Sequence, residues 1–411
     1  MKLTVKLIAL CLVFPILTQG QNYRDSISIQ LQQIAEQGTL PGFAVSLFTN
    51  KKVLYQAGFG YADLAKKTPY TPQSTHNIGS STKTLIAFAL MKLVEEEKLQ
   101  LDDSINQYLP FEIHHPDFPD QAITLRQLAT HTSSLCDGAD DMLIENSYLF
   151  RGAIDFSEEE LPEGYHPYFE IYRENEPTTM ARFLRDTYCK DGRWYDESNF
   201  RPEAPGTVYW YSNMGATLLA YIIEEVSGHK FADYTKKILL DPLKMSDSHW
   251  RLDDIPQDKL ASLYLSNQLP IPHYELITYP DGGLFTNVAD FSLYLVEMLK
   301  GINGESQLLK QSSYKEMMRN QLIPEFFPNA TFERSRGMMW RVNSDEDNIA
   351  ADGADPGVGT YVLMTTAGNM GIAIFKNISS DGEEEVEKAL LQVRRVLLTH
   401  AGNLLKQASK E

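Results

Sequence analysis

Cysteine is scarce in this 411-residue chain, which has three. Cys11 lies in an apolar N-terminal run, so Cys136 and Cys189 are left for the remainder and can form at most one disulfide. Neither stands at a metal-ligand spacing from a histidine, and the patterns His-x-His-x-Asp-His and His-Glu-x-x-His do not occur. His114-His115-Pro-Asp117 is the one local cluster, so a metal-dependent hydrolase stands last among the readings. Positive charge is short as well. Lys and Arg number 37 against 55 Asp and Glu, the net charge is −18, and no long basic cluster occurs. Nucleic acid and anionic membrane surfaces are therefore unsuited as partners. Beyond the N-terminus no apolar window of about 20 residues remains to cross a bilayer.

What is present suits a large core in one or two domains: 43% hydrophobic residues, 25 Gly and 20 Pro, with no internal repeat. Residues 1–20 read as a secretory signal, with Lys2 and Lys6 ahead of an apolar run over 7–17 and Thr18-Gln19-Gly20 as a cleavage site. The expectation is export, to a periplasm or the medium; an uncleaved anchor is the alternative. Leu10 before Cys11 speaks against lipid attachment. Export would place Cys136 and Cys189, both in polar Gly-containing loops, in an oxidising compartment. A bridge between them would contribute up to about 4 kcal/mol on the chain-entropy account. Two unbridged thiols are the other possibility.

Taken in order, Ile27, Leu31 and Ile34 recur at helical spacing. Phe43, Val45 and Leu47 alternate as a strand, and Val53, Tyr55, Ala57 and Phe59 as a second, with Asn50-Lys51-Lys52 between them. A helix is expected over 123–135, capped by Thr124. His131 near its C-terminal end reads as structural, in a place that favours a protonated imidazole. Residues 137–176 are acidic and aromatic and form either a lid or a solvated insertion. Val208-Tyr-Trp-Tyr-Ser-Asn-Met-Gly215 leads into a helix over 216–226, and Tyr211 is the one tyrosine of 21 in the pattern Tyr-x-Asn. Asp281-Gly-Gly-Leu-Phe-Thr-Asn287 feeds a helix over 288–300 closed by Gly301. Strand patterns return at 338–342, 361–365 and 371–375 before a last helix over 383–404.

Strands early and late with helices between predict an α+β fold. One antiparallel sheet (21–75 plus 276–411) would be flanked by N- and C-terminal helices and carry a mostly helical inserted domain, 76–275. Ser80 and Tyr211 would meet at the seam, a common place for a pocket.

The stretch around Ser80 is the most informative. Asn77-Ile-Gly-Ser-Ser-Thr-Lys83 runs from an extended segment into a helix with Leu85, Phe88, Met91 and Val94 at three-residue steps. Ser80 and Lys83 then share a face, so the lysine amine reaches the hydroxyl. The helix N-terminus and burial both disfavour an ammonium, and Lys83 is expected to lose its proton near neutral pH and activate Ser80. Ser227-Gly-His-Lys230 and Ser312-Ser-Tyr-Lys315 repeat the spacing without a long buried helix behind them.

In order, Ser80-Ser-Thr-Lys83, His131-Thr-Ser, Pro205-Gly, Tyr211-Ser-Asn213 and Gly282-Gly-Leu resemble the β-lactamase-related serine hydrolases. That family includes class C β-lactamases, D,D-peptidases (penicillin-binding proteins), esterases and D-aminopeptidases. The resemblance implies a Ser80 nucleophile that becomes acylated, Lys83 and Tyr211 managing the proton, and Asn213 orienting substrate and lysine, without cofactor or metal. The family's third motif, Lys or His, then Ser or Thr, then Gly, falls on Ala351-Asp352-Gly353. The cation and the hydroxyl are gone, while the backbone N–H of Ala354 is still available to an oxyanion. The resemblance thus implies a hydrolase of an ester, amide or peptide, exported if residues 1–20 are a signal, with a small-molecule or peptide substrate as its partner. Asp352, with acidic 137–176, would make it a poor β-lactamase. The alternative is a non-catalytic relative that binds peptide or cell-wall fragments.

Overall fold

The computed structural model describes residues 23–138, 142–154, 156–326, 335–343, 345–380 and 383–408. The expected secretory segment, 1–20, lies outside the described residues. Helix α1 (23–35) leads to strands β1 (Gly42–Thr49), β2 (Val53–Asp63) and the short β3 (Thr68–Pro69). The late strands are β4 (Arg341–Asn343), β5 (Asn348–Asp355), β6 (Val358–Thr365) and β7 (Met370–Lys376). All seven form one antiparallel sheet in the order β4-β5-β6-β7-β1-β2-β3. The early and late groups join where β1 pairs with β7, from Phe43 opposite Lys376 to Thr49 opposite Met370.

Every residue of β1 is buried because the sheet is covered on both faces. Phe43, Val45 and Leu47 pack with Ile27, Leu31 and Ile34 of α1 and with Val386, Val393 and Leu397 further on. The alternate residues Ala44 and Phe48 belong to the core of the helical layer. That layer contains α2 (Lys83–Glu95), α3 (Asn213–Ser227) and α4 (Val288–Asn303). The C-terminal helix α5 (Glu384–Ala408) lies beside α1, where Gln30 and His400 side chains meet at 2.9 Å. Helix α2 is apolar nearly all round, with Leu85, Ile86, Phe88, Leu90 and Leu93 at 1% exposure or less. Burying each contributes about 2 kcal/mol of transfer energy.

Three elements differ from their sequence-based expectation, each for a local reason. The helix expected over 123–135 is only Leu125–Ala129, although Thr124 caps it in a reciprocal pair with Gln127 as its position requires. Beyond Ala129 the carbonyls of His131, Thr132 and Ser134 accept from Trp210, Gly206 and Arg201, so a neighbouring loop replaces the helical bonds. Helix α4 passes Gly301 and ends at Gly304 (φ 76°). Gly301 is needed for packing instead, since a Cβ there would lie 2.3 Å from the Tyr314 ring. The strand expected over 338–342 shrinks to β4 because the N–H groups of Met338 and Met339 bond to Met317 and Ala129 in the helical layer.

Gly353 sets the approach of β5 to the turn before α2. A Cβ at this position would stand 1.9 Å from the Ile78 carbonyl oxygen and 2.5 Å from Thr360 Oγ1. Gly353→Ala is expected to push the strand away, lowering stability by about 1–3 kcal/mol. Thermal melting measures this, and an unchanged melting temperature would contradict it.

Candidate active site

Ser80 sits on a single 3-10 turn, Gly79–Thr82, that runs directly into α2, whose first residue is Lys83. Gly79 has φ +53°, and a Cβ on it would lie 2.8 Å from the backbone nitrogen of Ala354. The missing side chain lets this turn press against β5. Lys83 Nζ donates to Ser80 Oγ at 2.9 Å and to the Asp281 carbonyl oxygen at 2.7 Å. Tyr211, just ahead of α3, donates its hydroxyl to the same Ser80 Oγ at 2.8 Å. Two groups thus meet on one oxygen, Lys83 from the next turn and Tyr211 from a segment distant in sequence. The other two Ser-x-x-Lys patterns do not repeat this: Ser227 ends α3 and bonds local carbonyls, and Lys230 pairs with Glu224. Ser312 lies in the short helix Gln311–Met318.

The start of α3 fixes the position of Tyr211. Ser212 caps this helix, accepting from the Gly215 N–H. The buried Asp137 carboxylate accepts from Ser212 Oγ (2.8 Å), the N–H groups of Asn213 and Met214 (both 2.9 Å) and Asn213 Nδ2 (2.9 Å). An acceptor anion at a helix N-terminus satisfies donors that lack helical partners and suits the dipole. The Asn213 amide nitrogen is therefore directed at Asp137, and among the described residues it makes no hydrogen bond to Lys83 or Ser80. Sequence reasoning passed over Asp137, because Cys-Asp-Gly reads as any polar loop.

His131 lies against the Tyr211 ring, with centroids 4.5 Å apart, and its Nδ1 accepts from the Ser212 N–H at 3.2 Å. Burial first, then the charges of Arg336 and Lys83, hold its proton affinity well below the ordinary histidine value. The imidazole is neutral, contrary to the protonated form expected at a helix end; the helix stops short of it. Lys83 also departs from expectation. Burial is the largest single effect and favours proton loss, yet interactions with Tyr211, Asp281 and Asp355 outweigh it and raise its affinity above the ordinary lysine value. The expected neutral amine is replaced by an ammonium.

These side chains line a cavity of about 350 Å³. Arg336 and Arg341 line it too, with the Arg336 guanidinium carbon 5.6 Å from the Tyr211 ring centroid. Lys83 is therefore not the sole cation near the hydroxyls. Arginines far from any motif gave no signal there.

Comparison with known proteins shows the family and the fold. Residues 30–396 match the family described as Beta-lactamase. The chain belongs to the Beta-lactamase family. Protein flp of Staphylococcus aureus (strain NCTC 8325 / PS 47) is similar at 24% identity, covering 92% of this chain and 67% of that one. The octameric penicillin-binding protein homologue from Pyrococcus abyssi superposes with TM-score 0.65 and 24% identity, over 87% of this chain and 74% of the other. A class C β-lactamase does so with TM-score 0.64 and 21% identity, over 91% and 96%.

In this Beta-lactamase-family chain the third motif lies on β5. Ala351 is buried, Gly353 faces Ile78, and Asp352 and Ala354 line the cavity beside Ser80. Asp352 forms an ion pair with Arg341 on the adjacent strand, so its charge is compensated within the site. No carboxylate from the described residues of 137–176 lines the cavity. That segment packs instead: Tyr148–Phe150 pairs with Tyr274–Leu276, and Tyr172 stacks near Tyr148 and Phe150. Cys136 and Cys189 are not bridged; their thiols donate to the carbonyls of Ser198 and Glu112. His115 is engaged by the Arg201 carbonyl and the Asp117 N–H. Among the described residues no group of three or more His, Cys, Asp or Glu is arranged to hold a metal ion.

Proposed function

We propose that this protein is an exported serine hydrolase that forms an acyl-enzyme through Ser80 on an ester, amide or peptide. One observation carries the reading: a single hydroxyl oxygen contacted by Lys83 Nζ at 2.9 Å and the Tyr211 oxygen at 2.8 Å. Because Lys83 keeps its proton, the Tyr211 oxygen, 2.8 Å from Ser80 Oγ, is the group placed to take the Ser80 proton. Ser80 Oγ bonds to the substrate carbonyl carbon as its proton passes to Tyr211. The carbonyl oxygen becomes an oxyanion, with the N–H groups of Ser80 and Ala354 as donors. Tyr211 then protonates the leaving group, and water enters by the same route to release the acid and restore Ser80. Export rests on the sequence of residues 1–20. The altered Ala351-Asp352 positions favour a second reading, a non-catalytic binder of peptide or cell-wall fragments; the intact Ser80 cluster opposes it.

Weak β-lactam hydrolysis was expected from an uncompensated Asp352, and the Arg341 ion pair removes that basis. The pair is about two-fifths exposed, so it contributes little to stability. Its effect is on substrate charge. Arg341→Ala is expected to unmask Asp352 and lower kcat/KM for a carboxylate-bearing cephalosporin about three- to tenfold relative to a neutral p-nitrophenyl ester, less at high salt. Comparing a cephalosporin, the ester and a D-amino-acid p-nitroanilide on both proteins tests this. Equal effects on all three would contradict the assignment, and no turnover of any would favour the binder.

A further inference from the structure

Behind Lys83 lies a buried group that the acyl-transfer mechanism does not use. Asp355, at the end of β5, accepts from the Tyr148 hydroxyl through Oδ1 at 2.7 Å. Its other oxygen, Oδ2, is buried with no hydrogen-bond partner among the described residues, and the same holds for Oδ1 of Asn77, whose side chain interacts with this carboxyl. The neighbouring donors are already committed. Tyr274 gives its one hydroxyl proton to the Pro356 carbonyl at 2.8 Å, which fixes the Asn77 amide with Nδ2 donating to the Tyr274 oxygen at 2.9 Å. Tyr148 has spent its proton on Asp355. Two buried acceptors are thus left without a hydrogen, an arrangement that native interiors rarely tolerate. Gly282 packs close to it: a Cβ there would stand 2.9 Å from Asp355 Oδ2.

We propose that Asp355 is a neutral carboxylic acid in the resting enzyme, protonated on Oδ2 with Asn77 Oδ1 as the acceptor, and that it is a positioning residue which keeps a second negative charge away from Lys83 and Ser80. Asp281 is the charged member of the pair. Its carboxylate accepts from Thr217 Oγ1 at 3.2 Å, and its carbonyl oxygen holds the Lys83 ammonium. With one acid charged and the other neutral, the buried lysine has one nearby carboxylate as counter-charge. Ionising Asp355 would set a second anion near the site where the oxyanion develops.

The titration has the same sign. Burial first raises the Asp355 carboxyl to about 7, partly offset by the Tyr148 hydrogen bond, the Lys83 charge and the Asn77 side chain and reinforced by Glu145. Asp281 is likewise raised to about 7, by burial first, with Lys83 opposing and Asp355 adding to the rise. The two titrate as a coupled pair. The groups facing Asp355 are Tyr148, Asn77, Tyr274, Lys83, Glu145 and Asp281.

The proposal rests on the hydrolase reading only for its kinetic consequence, so the first test needs no turnover. Difference infrared spectra of the full chain, in the Ser80→Ala background, are compared with and without Asp355→Asn at about pH 6. A protonated-carboxylic-acid carbonyl band should be lost in Asp355→Asn and should weaken in Asn77→Leu, which removes the acceptor. Identical spectra for the three proteins would overturn the proposal. The second test is the pH profile of kcat/KM for a neutral p-nitrophenyl ester. The enzyme with native Asp355 should lose about tenfold between about pH 6 and about pH 8.5, and Asp355→Asn should lose that alkaline fall. An alkaline fall retained in Asp355→Asn would overturn the assignment. A band present in a protein without hydrolase activity would uphold the protonation and reject only the function.

Discussion

Ser80→Ala is expected to lower kcat/KM for a p-nitrophenyl ester by at least about 10³-fold while leaving the melting temperature nearly unchanged. Among the described residues its hydroxyl is the one atom contacted by both Lys83 and Tyr211, and no other serine, threonine or cysteine lines the cavity. Its removal costs little packing, since Ser80 lies at the surface of the cavity and not in the core. Ser227→Ala and Ser312→Ala are the controls, expected to leave turnover alone because neither touches the site. Turnover by Ser80→Ala comparable to the native enzyme would remove the basis of the acyl-enzyme.

Lys83→Ala and Tyr211→Phe are each expected to reduce kcat/KM by about 10²–10³-fold, with the double variant little worse than the poorer single one. The reason is that they act as one unit. Both contact the same Ser80 oxygen, and proton transfer there needs the two together. Losses that added in free energy would show two independent roles. Lys83→Ala has a second expected effect. It leaves Asp281 and Asp355 buried without their cation, and folding already raises the proton affinity of this pair, to about 7. Acids whose affinity is raised by folding stabilise the fold at low pH, and the contribution is lost as pH rises from the unfolded value through the folded one. The melting temperature of Lys83→Ala should therefore rise as pH is lowered from about 8 to about 5, more steeply than that of the native chain.

Much of this was legible in the sequence where local chemistry decides structure. The alternation in β1, the Thr124 cap and the entry of Ser80 into a buried helix all follow from residue type and spacing. What was missed depends on tertiary neighbours. The helix after Thr124 was over-extended because its carbonyls are captured by residues 201–210, which no local pattern announces. Gly301 looks like a helix stop and is a packing contact with Tyr314. The charge state of Lys83 was misjudged because burial and the helix dipole were weighed without Asp281 and Asp355, 198 and 272 residues away in the chain. Arg341 escaped notice for the same reason: its meaning comes from Asp352 on the adjacent strand, whose charge it compensates.

Covalent labelling tests the central claim most directly. The full chain is incubated with a fluorophosphonate, and the adduct is located by intact mass and peptide mapping. The expected result is one phosphonyl group per chain on the peptide containing Ser80, absent in Ser80→Ala and slowed in Tyr211→Phe. A folded protein that takes no label, or one labelled on Ser227 or Ser312 with Ser80 untouched, would contradict the account.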